Sequence, residues 1–157
     1  MSFLMNAENA EVFAWFGQAC ALAQFLEASL MEFISVLPAS SKARRRDEAR
    51  QREYLEGLSK KGLAALKNEL AQFPTLVGAA EELGDLNQLR VDLIHHWFTR
   101  SERTERLDTD AGRRELIGDL QEASNRFGKT AAAVAAVSLF VWFGRGWAIS
   151  RQGNSAP

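Results

Sequence analysis

Apolar residues recur at intervals of three and four through most of this chain and nowhere alternate over a useful length, a pattern that predicts helices rather than strands. The first helix is expected over 7–37. Asn6 is its cap, Pro38 its stop, and Phe13, Phe16, Ala23, Leu26, Leu30, Phe33 and Leu37 form a core-facing stripe. A second helix is expected over 47–73, weakened near Gly57 and Gly62, ended by Pro74, and carrying Leu55, Leu58, Leu63, Leu66, Leu70 and Phe73. The third spans 76–98 with a bend at Gly84, and a polar loop follows over 99–108. Asp108 or Asp110 can cap a last helix bearing Leu116, Ile117, Leu120 and Phe127. Long helices with short connections read as an all-α, antiparallel bundle of four to five helices. Residues 1–130 make up the bundle, and 131–157 an apolar helical extension with a short disordered tail.

The third helix holds the candidate chemistry. At about 100° per residue, Leu86, Leu89, Val91, Leu93, Ile94, Trp97 and Phe98 sweep out one broad apolar arc, with Arg90 in its middle and His95 at its edge. Gln88, Asp92 and His96 share the polar side. A guanidinium on an apolar face must be paired or must meet an anion, because an unpaired buried charge is too costly. Glu27 and Glu32 of the first helix are the carboxylates placed to pair with it. A histidine just over one turn away adds a proton carrier near neutral pH.

Composition narrows the setting. The 157 residues, 46% hydrophobic and 25% charged, suffice for one domain with a real core. A formal net charge of −1 gives no global attraction to nucleic acid, so any such binding must come from local patches. The Arg-rich stretch 42–52 reads first as a solvated face and second as an RNA track. The single cysteine, Cys20, sits in an apolar stretch and reads as a packed, inert thiol. Without a disulfide framework, and with Glu8, Glu11, Glu27 and Glu32 punctuating the first apolar segment, the sequence suggests a cytoplasmic protein with no signal peptide. The apolar run 131–143 falls short of the about 20 residues a spanning helix needs. It reads as a buried or dimer-facing helix, with membrane association through Trp142, Phe143, Arg145 and Trp147 as the minor alternative.

No metal or other cofactor is expected. His95 and His96 are adjacent and diverge by about 100° on a helix, and there is no Glu-x-x-His pair. Nucleophilic catalysis has no support either, since no serine sits in a Gly-x-Ser-x-Gly elbow and Cys20 has no histidine near it in sequence. Cleavage of RNA needs less equipment, because the ribose 2′-hydroxyl is itself the nucleophile. An imidazole can take its proton while a guanidinium holds the scissile phosphate bidentately. Arg90 and His95 supply those two groups, and a twofold dimer would double them.

The block Leu89-Arg90-Val91-Asp92-Leu93-Ile94-His95-His96-Trp97-Phe98, followed by Arg100-Ser101-Glu102-Arg103, resembles the motif helix of HEPN-like bacterial proteins, an arginine followed a few residues later by a histidine. Phe16-Gly17 through Glu27, and Gly112 through Ala123, resemble the first and last helices of small proteins of that superfamily. The resemblance implies an all-α homodimer with facing motifs, acting as a metal-independent endoribonuclease of toxin or phage-defence type. It implies an RNA substrate and a cognate antitoxin as partners. By position, Arg90 would hold the phosphate and His95 would act as base or acid, with Asp92, His96, Arg100 and Arg103 in supporting or substrate-binding roles. The residue after the arginine is commonly Asn, Asp or His in that superfamily and here is Val91. Hence the alternative, a non-catalytic HEPN-like module that binds RNA or protein and keeps Arg90 in a structural ion pair.

Overall fold

In the computed structural model, residues 7–36, 53–54, 56–57, 62–72 and 77–153 are described, with the backbone alone given for 7, 36, 142 and 144–153. They form an all-α bundle with no strand among the described residues. A 3-10 turn, Ala7–Asn9, leads into α1 (Ala10–Val36). Then come α2 (Leu63–Leu70), α3 (Val77–Val91) continued by a π-helical turn (Asp92–His96), α4 (Ser101–Arg106) and α5 (Asp110–Gly153). The expected cap at Asn6, the stop at Pro38 and most of 47–61 lie outside the described residues.

The stripes read from the sequence close the core. Ala23, Leu26, Leu30 and Phe33 of α1 are buried with Leu63, Leu66 and Leu70 of α2, Leu83, Leu86 and Leu93 of α3, and Leu116, Leu120 and Phe127 of α5. Each large apolar side chain withdrawn from water contributes about 1.5–3 kcal/mol. Phe98 closes the lower end, its ring 5.2 Å from Phe13 and 4.9 Å from Phe16.

Helix directions differ in part from a simple alternating bundle. Glu8 lies beside Arg113 (3.5 Å), Leu22 faces Gly128, and Leu30 and Phe33 share a cavity wall with Thr130, Val134 and Val137. These pairs keep one offset along the chain, so α1 and α5, the most extensive helix pair, run parallel. α3 runs the other way beside them: Leu83 shares the Leu30–Phe33 level, Arg90 the Glu27 level, and Phe98 the Phe13 level. The expected antiparallel packing therefore holds for α3 against both neighbours and is corrected for α1 against α5. The polar segment 99–108 is not the loop its composition suggests, since Ser101–Arg106 is helical and packs on α5. The segment contains neither Gly nor Pro to prevent that turn.

The cap of α5 is neither Asp108 nor Asp110 but the residue between them. Thr109 Oγ1 accepts the Gly112 N–H at 3.1 Å, the N-cap to N3 geometry, which leaves Asp110 as the first helical residue and in contact with Arg113. Gly112 presses on the backbone of Arg106, and a Cβ there would overlap it. Gly118, two turns on, is exposed with nothing near it. Replacing Gly112 by Ala is therefore expected to lower unfolding stability by about 1–3 kcal/mol through overpacking. Gly118→Ala should raise it by roughly 0.5–1 kcal/mol through helix propensity. Urea denaturation of the two variants beside wild type checks both signs.

Candidate functional site

Three elements meet at one carboxylate. Glu27 projects from the middle of α1, with Leu26 on its buried side. Its Oε1 accepts the backbone N–H of Leu63 at 3.1 Å and so satisfies the first amide of α2. Gly62, the residue before α2, has φ 69° and makes no side-chain cap of its own. The chain turns there through the left-handed region, where glycine carries no Cβ penalty. A Cβ at this position would also stand 3.4 Å from Glu27 Oε1. The carboxylate sits on the positive end of the α2 dipole, where an anion is favoured.

Arg90, from the last turn of α3, reaches the same carboxylate. Its Nε lies 2.9 Å from Oε1, at ion-pair distance but out of line for a hydrogen bond, while Nη2 donates to Oε2 at 3.5 Å. The two side chains are 23% and 21% exposed, so the pair is screened by water only in part. The demand for a partner read from the apolar arc is met by Glu27. Glu32, five residues on and so about 140° around the helix, lies on the exposed side of α1.

Below Arg90 the helix changes form. The turn Asp92–His96 is π-helical and carries more residues per turn than an α-helix, a distortion frequent at functional sites. A count at 100° per residue then stops describing the faces. Leu93 and Trp97 are buried, but Ile94, expected on the apolar arc, is 39% exposed. His95 and His96 both face solvent, with ring centroids 6.3 Å apart.

Asp92, expected on a solvated face, is instead enclosed. Arg103 Nη2 donates to its Oδ2 at 2.7 Å, and Arg100 contacts Oδ1. The Arg103 guanidinium also stacks over the Trp97 indole, 3.9 Å from the ring centroid. Arg100 and Arg103, the expected substrate-binding residues, are thus engaged by a carboxylate of the motif helix itself. Together they tie α4 to the π turn. Beyond the charges themselves nothing in the residue pattern marks this clamp, because it depends on α4 forming.

No group of histidines, cysteines and carboxylates able to hold a metal ion exists among the described residues. Cys20 is half-buried, and burial pushes its thiol up, which leaves little thiolate near neutral pH. No protein-family model, curated protein or solved structure matches the chain.

The shared carboxylate predicts a graded series. Glu27→Ala removes both the α2 cap and the Arg90 counter-ion, and should cost about 2–4 kcal/mol. Glu27→Gln keeps an acceptor for Leu63 N–H and should cost less. Combining Glu27→Ala with Arg90→Ala should cost less than the sum of the single changes, since the second no longer strands a charge. Chemical denaturation of the four proteins measures that coupling.

Proposed function

We propose that the chain is a HEPN-like helical module that works by binding a protein, with Arg90 as a structural cation. The observation that carries this reading is the Glu27 carboxylate on the Arg90 guanidinium. A phosphate reaching Arg90 would have to displace a group that also caps α2. Val91 points the same way, since an aliphatic side chain can neither bind phosphate nor orient an imidazole.

A protein partner is favoured over RNA by the state of the arginines. Affinity for nucleic acid comes largely from cations that can neutralise phosphates. Among the described residues, Arg90, Arg100, Arg103, Arg106, Arg113 and Arg126 each face a carboxylate, respectively Glu27, Asp92, Asp92 again, Glu115 with Asp119, Glu8 with Asp110, and Glu82. With a formal charge of −1 on the whole chain, they leave no strong anion-binding track around the motif helix among the described residues, outside which the Arg-rich stretch 42–52 lies.

A second reading has one specific observation in its favour. The π turn brings His95 and His96 to the surface. There a second copy could bring two such turns together around an RNA strand, as expected of a metal-independent endoribonuclease of toxin or defence type held in check by an antitoxin. His95 would then move the 2′-hydroxyl proton.

Induced expression in a bacterial host separates the two. The binding reading expects no growth arrest from wild type, and no cleavage or gel shift of a generic RNA at moderate salt. Arrest that folded His95→Ala loses, with cyclic phosphate ends on the cut RNA, would overturn it in favour of the nuclease.

A further inference from the structure

The upper part of α5 presents an apolar surface that the bundle does not use. Val137 is 47% exposed, Leu139 57% and Phe140 81%. Ala133, Ala136, Val137 and Phe140 follow one another at spacings of three, one and three, so they share one exposed strip of the helix. The opposite side of the same turns is anchored in the bundle, with Ala131 and Ser138 buried and Val134 and Val141 packed on the core. The strip is therefore held in place with its apolar side outward. Beside it opens a mainly apolar cavity of about 210 Å³, lined by Leu30, Phe33, Leu70, Leu83, Val134 and Val137 together with Thr130 and Glu82. The offset that sets Glu8 beside Arg113 brings the described end of α1 level with Val141, and α5 runs on to Gly153.

Charge identifies what suits this surface. From Ala123 to Pro157 the sequence holds Arg126, Lys129, Arg145 and Arg151 and no acidic residue, in a chain whose net charge is −1; Arg126 faces Glu82, which leaves Lys129, Arg145 and Arg151 as the basic flanks. Lys129 and Arg145 bracket an uncharged run of small, aliphatic and aromatic residues, and Trp142 and Trp147 stand near its end. Two copies placed strip to strip would bring like charges together. A layer of hydrocarbon faced with anionic headgroups would meet both the apolar strip and its basic flanks. No helix among the described residues is long and apolar enough to cross a membrane.

We infer that the 130–147 part of α5 docks on an anionic lipid surface, lying in the interface plane with Val137, Leu139 and Phe140 in the headgroup–acyl boundary. Basic residues near the surface add electrostatic attraction that salt weakens. The inference is independent of whether Arg90 and His95 take part in catalysis.

The test is co-sedimentation of the full chain with phosphatidylglycerol–phosphatidylcholine vesicles, beside vesicles of phosphatidylcholine alone. Wild type is expected to sediment with the anionic vesicles, less with the neutral ones, and less as salt is raised. Leu139→Glu and Phe140→Glu should each reduce anionic-vesicle binding roughly tenfold. Their helical circular dichroism and melting temperature should stay at the wild-type values, because both positions are exposed. Wild type that remains in the supernatant, or variants that sediment as wild type does, would overturn the inference. A concentration-dependent dimer that these variants abolish, in a protein that ignores vesicles, would assign the strip to a second copy and equally overturn it.

Discussion

The Glu27 carboxylate is the point on which the arrangement of helices depends. It neutralises the one cation that α3 places toward the core, and it supplies the acceptor that the short helix α2 lacks at its own start. An eight-residue helix is marginal by itself in water. α2 persists because Leu63, Leu66 and Leu70 are buried and because its exposed amide end is met by a negative charge from a longer, better-anchored helix. Gly62 makes the approach sterically available, and Arg90 keeps the carboxylate from being a buried unpaired charge. Removing any of the three leaves the other two in an environment that no longer suits them.

A second polar junction, Asp92 with Arg100 and Arg103, repeats this logic lower on the motif helix. Here the helix has given up α-geometry, and the carboxylate at the first position of the π turn draws α4 back against it. Arg103 serves two partners at once, Asp92 through a charged hydrogen bond and Trp97 through its ring face. The two junctions fix the motif helix at Arg90 and Asp92, and just beyond them the two histidines point outward. Their exposure follows from the π turn and not from any lack of order in the helix that carries them.

Much of this was legible in the residues. Helical periodicity pointed to the all-α bundle and to most of the large buried side chains, because a core stripe repeats with the helix whatever the topology, although Ile34, Leu83 and Leu107 are buried as well. Arg90 announced its ion pair, since a guanidinium among Leu86, Leu89 and Leu93 has few alternatives. Between Glu27 and Glu32 the choice was set by position around α1, which needs the relative rotation of two helices. The π turn was invisible because nothing in Asp92-Leu93-Ile94-His95-His96 marks where an extra residue enters. It misplaced Ile94 for the same reason. α4 was missed because its residues are almost all polar, and its stability comes from Asp92 and from α5 rather than from a stripe of its own. The direction of α1 against α5 was beyond a count of helices, which says how many reversals occur but not which helices become neighbours.

The parallel pairing of the first and last helices also governs the order in which the protein can assemble. Glu8 and Arg113 touch across 105 residues of sequence, and the rest of the α1–α5 seam spans nearly the same separation. Contacts between α2 and α3, and between α4 and α5, close short loops and can form early. The main seam requires almost the whole chain to be present, so the topology raises the contact order of a helical protein toward that of slower folds. As the chain leaves the ribosome, α1 emerges with Leu26, Leu30 and Phe33 unsheltered; α2 and α3 can cover part of that stripe, and the rest waits until α5 has been made. During synthesis the first helix is the exposed one, and the last helix is what ends its exposure.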